Sequence, residues 1–380
     1  MSFVKLYFYQ KIMKKNLVIF YPSFEKGGVT KILINLIQSK FIKDYNLHII
    51  STEFPLKKYN KKKNFFFYKI KNTKNFRFIP QRFLTAFHAM FLLNFVLNKF
   101  KKDILVHSMQ SNIAAIIICM LRRTKIVIRN SENPIYSTIH SENIFSAFIT
   151  FFLKLIFYNF SDGIITNSKG SAKSLRFFVF DKKKIFPIYN PYLKKINLKK
   201  FKKNDIILNI ARLRKQKDHI TLLKAFKIFS EKNKNFKLII LGHGNLRQKL
   251  KYISRKLEIQ NRVIFKGWVS DTSSYLKKAK IFVLSSIYEG LGNVLIDAIN
   301  FDLPCISTDC PSGPSEILLN GKGGYLVESK SENKLAEKMD FCINNFQQSI
   351  KMKNLAKKKL NRFLVSKNTK YYFNYLNKFF

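Results

Sequence analysis

The sequence predicts two α/β domains, each built around a doubly wound parallel sheet. The chain has 380 residues, which is long for one domain and typical of two. Hydrophobic residues make up 47% of it and aromatic residues 15%, enough to fill two cores. Short continuous runs of Val, Ile and Leu alternate with helical segments in two successive series. Runs of this kind indicate buried parallel strands joined by helices.

Ten apolar runs are predicted strands. The first series comprises NLVIFY (16–21), NLHIIS (46–51), DILVHS (103–108), KIVIRN (125–130) and DGIITN (162–167). The second comprises DIILNIA (205–211), FKLIILG (236–242), RVIFKG (262–267), IFVLSS (281–286) and PCISTD (304–309). An Asn-Pro step and dense lysine mark residues 191–204 as the linker between domains at 13–190 and 205–365. Because ligands bind at the carboxyl ends of such strands, we expect the site in a cleft between two Rossmann-like domains.

The formal charge of +48 arises from 70 Lys and Arg against 22 Asp and Glu. Such a charge attracts nucleic acid, anionic membranes or phosphorylated small molecules. AT-rich coding DNA is another explanation of the charge, because it raises the frequencies of Lys, Asn, Ile and Phe together. The segment 57–78 alternates basic and aromatic residues. It fits single-stranded nucleic acid, an anionic bilayer or a solvated loop. No helix-turn-helix, zinc-finger or RNA-binding signature occurs, so we expect no specific nucleic-acid partner.

The cysteines and apolar segments bear on the compartment. Cys119, Cys305, Cys310 and Cys342 are too scattered for a disulfide framework, which predicts a reduced cytosolic compartment. The stretch before Met13 is not typical of a secretion signal and is interpreted as an extension or a mis-assigned start. Apolar segments 83–100 and 145–160 are shorter than a membrane span of about 20 residues. They predict helices of a soluble domain with one face available to a membrane surface.

The stretch SSIYEGLGNVLIDAIN (285–300) combines a strand end, a turn and a helix start. The turn places the backbone amides of Gly290, Leu291, Gly292 and Asn293 at a helix N-terminus, which favours an anion. Glu289 is predicted at the edge of the cleft, and Asp297 lies eight residues further along, inside the helix. The two carboxylates can therefore contact different parts of one ligand.

Three further loops follow predicted strands. Arg212 and Lys217 suit the oxygens of a diphosphate, although such a pair is also common as surface charge. Close approach of backbone to a ligand is expected at two glycine pairs, Gly27 with Gly28 and Gly242 with Gly244. The sequence lacks G-x-G-x-x-G after the first strand, G-x-x-x-x-G-K-[ST] and G-x-S-x-G. A nicotinamide or flavin enzyme, a P-loop enzyme and a serine hydrolase are therefore disfavoured.

Taken in order, these motifs resemble the retaining glycosyltransferases of family 4, which have the GT-B architecture of two facing Rossmann-like domains. The resemblance covers residues 17–327 and is most specific over 207–318. One departure is Ala211, which stands where the family's Arg/Lys loop usually has Gly. The family's Gly-Gly, Arg/Lys and Glu-x7-Glu motifs are matched by Gly27 and Gly28, by Arg212 and Lys217, and by Glu289 with the conservative Asp297.

The resemblance implies a role for each matched residue. Glu289 would contact hydroxyls of the donor sugar, and amides at Leu291 and Gly292 would support the sugar or its phosphate. Arg212 and Lys217 would neutralise the diphosphate leaving group. Asp297 would bond the ribose, and Gly28 would let the diphosphate or acceptor approach closely. The resemblance also implies no metal, because the charges of Arg212 and Lys217 take the place of a metal ion. It implies no cofactor, because the nucleotide sugar is a co-substrate.

The histidine that many relatives carry after an N-domain strand is absent. The segment KIVIRNSENP (125–134) offers Arg129, Asn130, Ser131 and Glu132 instead. His107 is either an acceptor-side residue or a structural histidine at a strand end, and His243 receives no role.

The resemblance further implies a bacterial surface-glycan enzyme that moves a hexose or N-acetylhexosamine to a lipid-linked or polysaccharide acceptor. The donor is expected to be UDP-linked, with GDP-mannose as the alternative. We expect a cytoplasmic protein in peripheral contact with the anionic inner face of the membrane, and a helix at 366–380 returning to the N-terminal domain. A basic nucleic-acid- or membrane-binding protein and an inactive family member are the competing interpretations. Retention of Arg212, Lys217 and Glu289 argues against inactivity.

Overall fold

The fold was examined in a computed structural model, which describes residues 14–24, 27–54, 64–71, 81–100, 103–141 and 143–380. It contains two parallel sheets, one of seven strands and one of six. This arrangement confirms the predicted pair of doubly wound α/β domains.

The N-terminal domain holds the seven-stranded sheet, in the order β3-β2-β1-β4-β5-β6-β7 with every pairing parallel. Its strands are β1 (Lys15–Phe20), β2 (Tyr45–Ser51), β3 (Phe65–Lys69), β4 (Ile104–Ser108), β5 (Lys125–Asn130), β6 (Gly163–Thr166) and β7 (Ile185–Pro187). Its helices are α1 (Gly28–Ile37), α2 (Gln81–Asn98), α3 (Asn112–Leu121), α4 (Pro134–Ile139), α5 (Ile144–Phe157) and α6 (Lys169–Leu175).

The C-terminal domain holds the six-stranded sheet, in the order β10-β9-β8-β11-β12-β13, again parallel throughout. Its strands are β8 (Ile206–Ile210), β9 (Lys237–Leu241), β10 (Val263–Gly267), β11 (Ile281–Leu284), β12 (Cys305–Thr308) and β13 (Tyr325–Val327). The helices that follow are α7 (His219–Lys232), α8 (Arg247–Lys256), α9 (Ser273–Lys278), α10 (Asn293–Asn300), α11 (Pro314–Ile317), α12 (Glu332–Asn344), α13 (Phe346–Lys358) and α14 (Val365–Leu376).

Each sheet separates two apolar layers, because successive strand residues point to opposite faces. In β1, Val18 and Phe20 belong to the core on one face, and Leu17 and Ile19 belong to the core on the other. The strand is therefore apolar throughout, which is why continuous runs rather than alternation marked it in the sequence.

Three strands were missing from the sequence-based prediction. β3 lies within the segment 57–78, where a loop was one interpretation, and β7 and β13 have three residues each. All three are edge strands, which carry weaker apolar signals because one side has no partner strand. The remainder of the patch at 57–63 and 72–78, and residues 1–13, lie outside the described residues.

The two domains are joined by the linker and by α14. Backbone amides of Tyr192 and Leu193 both donate to the Phe363 carbonyl, at 3.2 and 3.0 Å, so the linker starts against the end of the C-terminal domain. Helix α14 then places Tyr372 and Phe373 in the core on the α1 side of the N-terminal sheet. The last helix of the chain thus packs on the first domain.

Candidate active site

The loop after β8 and the loop after β11 form one hydrogen-bonded unit. The Ile287 amide donates to the Gln216 carbonyl at 2.8 Å, and the Gln216 side chain donates to the Tyr288 carbonyl at 2.8 Å. Ser285 Oγ donates to the Lys217 carbonyl at 2.9 Å. β8 and β11 are adjacent at the centre of the sheet, where the strand order reverses. This is the position at which doubly wound sheets bind ligands.

Glu289 is a buried carboxylate, 6% exposed, and two neighbours compensate it. Its Oε1 accepts hydrogen bonds from Lys217 Nζ and, at 2.7 Å, from Ser286 Oγ. The Ser286 carbonyl in turn accepts from Thr308 Oγ1 at 2.5 Å. A buried carboxylate is tolerated only when it is paired in this way. The structure therefore brings two of the three predicted catalytic residues into direct contact.

Arg212 faces the other domain. A Cβ placed on Gly27 would lie 2.8 Å from a guanidinium nitrogen of Arg212, and one placed on Gly28 would lie 3.4 Å from the Asn293 side-chain amide. The N-terminus of α1 thus stands opposite the N-terminus of α10 and the Arg212 side chain. Both helix N-termini direct partial positive charge to the space between them. This space is suited to an anionic ligand.

The turn at Gly290 packs directly against the N-terminal domain. A Cβ on Gly290 would lie 1.9 Å from the Ser131 carbonyl, so only glycine fits there. The Gly290 carbonyl accepts hydrogen bonds from Ser168 Oγ at 2.7 Å and Ser171 Oγ at 3.2 Å. The next glycine, Gly292, has φ of 80°, the left-handed conformation that starts α10.

The other predicted glycines and Leu291 have close protein neighbours. A Cβ on Gly242 would meet the Ala211 carbonyl at 1.8 Å, and one on Gly244 would meet the Leu213 carbonyl at 2.3 Å. These glycines let the β9 loop pack against the loop that carries Arg212. The side chain of Leu291 is buried in the C-terminal core, and its backbone packs against Gly313, where a Cβ would lie 2.5 Å from the Leu291 carbonyl.

Asp297 has partners that the sequence did not indicate. The Tyr192 hydroxyl donates to its Oδ2, and Lys31 Nζ lies 3.8 Å from Oδ1 and 3.6 Å from the centre of the Tyr192 ring. Burial raises the pKa of Asp297, and the Lys31 charge and the Tyr192 hydroxyl oppose that rise. The carboxylate therefore joins the linker and α1 to α10.

A second polar chain crosses between the domains through the linker. The Arg129 guanidinium is 2% exposed and donates to Asn190 Oδ1 at 2.6 Å and to Ser131 Oγ. Asn190 Nδ2 donates to Asn293 Oδ1 at 2.9 Å. Arg129, Ser131 and Asn293 were each marked in the sequence but not connected, and the Asn-Pro step at 190–191 was interpreted only as a linker boundary.

The two histidines in question have different environments. His107 is 1% exposed; its Nδ1 lies 2.9 Å from the Val127 carbonyl and its Nε2 lies 2.8 Å from the Tyr372 hydroxyl. Burial lowers its pKa from 6.5 to about 3. The structural interpretation of His107 is therefore the right one, and His243 is exposed on the loop after β9.

The described part of the chain shows neither a cluster of metal ligands nor a helix able to span a membrane. No group of three or more His, Cys, Asp or Glu side chains there is arranged to hold a metal ion. Within the same residues, no helix combines the length and apolar character needed to cross a membrane.

Two family models match adjoining parts of the chain. The model described as Glycosyltransferase Family 4 matches residues 26–192, and the model described as Glycosyl transferases group 1 matches residues 193–359. They meet within the linker, between the two sheets. The chain is a family 4-like glycosyltransferase of the GT-B fold.

Relatives with related sequences support this assignment. The glycosyltransferase is 34% identical over 244 residues to an uncharacterized glycosyltransferase of Methanocaldococcus jannaschii, a match that spans 59% of this chain and 59% of that relative. It is 28% identical over 313 residues to GalNAc-alpha-(1->4)-GalNAc-alpha-(1->3)-diNAcBac-PP-undecaprenol alpha-1,4-N-acetyl-D-galactosaminyltransferase of Campylobacter jejuni. That match covers 79% of this chain and 84% of the relative.

A solved structure supports the fold. The crystal structure of Anabaena Alr3699/HepE in complex with UDP and glucose superimposes with a TM-score of 0.76 at 17% identity. The superposition covers 96% of the glycosyltransferase and 99% of that chain.

Proposed function

We propose that this glycosyltransferase transfers a hexose or N-acetylhexosamine from a UDP-sugar to a lipid-linked or polysaccharide acceptor, with retention at the reacting carbon. The observation that carries the proposal is the site itself. Glu289 and Lys217 lie in contact at the switch point of one domain, and Arg212 faces Gly27 of the other. An ionic ligand between the domains would meet all of these groups.

The donor's diphosphate is assigned to the space between α1 and α10. Arg212 and Lys217 would neutralise its charge as the leaving group forms, the electrostatic stabilisation that such a transfer chiefly needs. The backbone of Gly290, Leu291, Gly292 and Asn293 would support the sugar or its phosphate, and Asp297 would bond the ribose. Glu289 would contact hydroxyls of the transferred sugar. Gly28 gives the diphosphate or acceptor close access to the first domain.

The proposed reaction breaks the bond between the anomeric carbon and the diphosphate oxygen. The acceptor oxygen attacks the same face of the sugar, and its proton passes to the departing diphosphate. No separate protein base is then required, and the two cations supply the charge that a metal would otherwise supply. We therefore propose a metal-independent reaction without a further cofactor.

Acceptor and location are proposed from the relatives. The Campylobacter jejuni protein is named for a PP-undecaprenol substrate, and Alr3699/HepE was crystallised with UDP and glucose. By analogy, we propose a UDP-linked donor and a glycan acceptor held at the cytoplasmic face of a cell membrane. The charge of +48 suits peripheral contact with anionic lipid.

A donor screen tests the proposal directly. Thermal stability and donor hydrolysis are measured with UDP-glucose, UDP-galactose, UDP-GlcNAc, UDP-GalNAc and GDP-mannose, with a chelator present. We expect one UDP-sugar to stabilise the wild type and not Lys217→Ala. The matched control is Lys224→Ala, which removes a lysine from an exposed Lys–Glu pair with Glu332 and should respond like the wild type.

Three outcomes contradict parts of the proposal. Stabilisation by GDP-mannose alone would replace the UDP donor with the alternative. A requirement for added metal would overturn metal independence. A folded wild type that responds to none of the five donors would overturn the proposed donor class, whatever the acceptor.

A further inference from the structure

Helix α5 exposes more apolar surface than an ordinary surface helix of a globular domain and buries its one charged residue. Its 14 residues, IFSAFITFFLKLIF, contain one buried residue, and that residue is Lys154. The Lys154 side chain is 11% exposed, with Nζ 3.6 Å from Glu132. Surface helices normally bury their apolar stripe and expose their charges. Here Lys154 is the buried residue, Phe151, Leu155 and Phe157 pack partly buried against the core, and the remaining large apolar side chains point outward.

The outward residues form a contiguous surface, called here the phenylalanine surface. Helices α2 and α3 pack side by side, as do α3 and α5, and Phe151 of α5 contacts Phe177 beyond α6. The surface comprises Phe145, Phe148, Phe152 and Ile156 of α5 with Phe160 and Phe177, all between 51% and 77% exposed. Apolar patches of this extent usually mark an interaction site.

Charge identifies the kind of partner. The sequences of α2, α3, α5 and α6 contain no Asp or Glu. Basic residues follow three of these helices directly: Lys99 after α2, Arg122 and Arg123 after α3, and Arg176 after α6. A second copy carrying the same +48 charge would be repelled, whereas anionic headgroups would be attracted.

The phenylalanine surface adjoins the candidate site. The loop after β5 presents the Ser131 carbonyl to Gly290, and α4 leads from that loop directly to α5. Ile139, at the end of α4, is 59% exposed between them. A 14-residue helix is about 21 Å long, enough to lie along a bilayer interface but not to cross it.

We propose that the phenylalanine surface inserts into the interfacial layer of an anionic bilayer, with α5 parallel to the membrane plane. This deepens the proposed function and rests on it, since the insertion would hold the cleft beside an acceptor anchored in the same bilayer. The apolar side chains enter the boundary between headgroups and acyl chains, and the flanking cations remain among the headgroups.

Vesicle flotation tests the proposal with the full chain. The test variant is Phe145→Gln/Phe148→Gln/Phe152→Gln, three positions on one face that are 77%, 51% and 59% exposed. The control removes three exposed apolar side chains outside that surface, in Leu198→Gln/Tyr252→Gln/Leu355→Gln, which are 87%, 63% and 48% exposed. On vesicles of equal parts phosphatidylcholine and phosphatidylglycerol, we expect the test variant to bind at least about tenfold more weakly than wild type and control.

A fluorescence measurement distinguishes insertion from adsorption by charge. The chain has a single tryptophan, Trp268 in the C-terminal domain, so the wild type supplies the baseline. Vesicles with brominated acyl chains should quench the tryptophan fluorescence of Phe148→Trp more strongly than they quench the Trp268 fluorescence of the wild type. Equal quenching of Phe148→Trp and wild type, or equal vesicle affinity of the test and control variants, would overturn insertion.

Two further readouts keep the possibilities apart. Nucleotide sugars should stabilise the test variant and the wild type equally. If neither protein is stabilised, the result counts against the proposed function and not against the phenylalanine surface. Light scattering measures oligomeric state. A wild-type dimer that becomes monomeric in the test variant, with neither protein floating, would assign the surface to contact between copies and overturn the membrane proposal.

Discussion

At the residue scale, the contact between Glu289 and Lys217 defines the site. Each group offsets the charge of the other, and a hydrogen bond from Ser286 holds the carboxylate further. A bound diphosphate would compete with Glu289 for the lysine, and the carboxylate would then be available to sugar hydroxyls. Removing the carboxylate should therefore affect binding and transfer differently.

Glu289→Gln is expected to reduce transfer at least about a hundredfold, the size of effect seen when one preorganised group is lost. UDP affinity should be unchanged or increased, because Lys217 is no longer held by a charged partner. Calorimetry with UDP and a transfer assay measure the two quantities. Glu332→Gln, which changes the exposed pair with Lys224, is the control. A loss of UDP affinity in Glu289→Gln as large as that in Lys217→Ala would contradict this division of roles.

Asp297 and Tyr192 provide a second test at this scale. If Asp297 binds the ribose, Asp297→Ala should weaken UDP binding about tenfold or more, because a hydrogen bond to a charged group is lost. Tyr192→Phe removes only the competing hydroxyl and should leave UDP affinity unchanged or raise it. Equal weakening in both variants would show that Asp297 acts through the linker contact alone.

At the scale of elements, α14 belongs structurally to the domain it does not follow in sequence. Tyr372 meets His107 of β4, and the Tyr375 hydroxyl donates to the Lys184 carbonyl at 2.8 Å. The neutral form of His107 is required for this packing, since burial holds its pKa at about 3. The stability that neutral His107 contributes is therefore fully present above about pH 6.5, its ordinary pKa, and is lost as the pH falls toward the folded-state pKa of about 3.

His107→Gln should accordingly be less stable than the wild type at neutral pH. The unfolding free energies of the wild type and His107→Gln should become closer by about 1.4 kcal/mol as the pH falls from about 7.5 to 5.5. At the lower pH the unfolded wild type is protonated at His107 and must release that proton to refold, whereas the variant has no such group. Urea unfolding at both pH values measures the free energies. Leu198→Gln, which changes an exposed side chain that carries no titratable group, should show no such narrowing. A difference that stays constant with pH would mean that His107 titrates normally in the folded state.

The ten predicted strands are present because buried parallel strands need continuous apolar runs, which are visible in any single sequence. The apolar signal of an edge strand in the sequence is weaker. In β3, Phe65, Phe67 and Tyr68 are half-buried and Phe66 is exposed, so the strand gives neither a continuous run nor clear alternation. Its assignment depends on pairing with β2, a contact between distant residues.

At the scale of the whole molecule, Gly290 controls how closely the two domains approach. Gly290→Ala would force its Cβ against the Ser131 carbonyl and hold the cleft open. We expect a larger radius of gyration in solution scattering and loss of transfer, with thermal stability of the C-terminal domain retained. Gly321→Ala is a control for loss of glycine without a contact between the domains: φ of 88° strains the alanine backbone locally, but a Cβ would find nothing within 4 Å, so the radius of gyration should stay unchanged. An unchanged radius with full transfer would show that the closed contact is dispensable.

The sequence alone determined the two sheets, the positions of ten strands along the chain and the loops that carry Glu289, Lys217, Arg212 and Gly27. These features depend on local patterns: apolar runs, glycines at turns and charges directly after strands. The tertiary structure decided which loops meet across the cleft, and it placed Lys31 and Tyr192 on Asp297. It also decided that Lys154 is buried while α5 exposes its phenylalanines. A helix sequence fixes which residues share a face, but the direction of that face is fixed only by packing against distant parts of the chain.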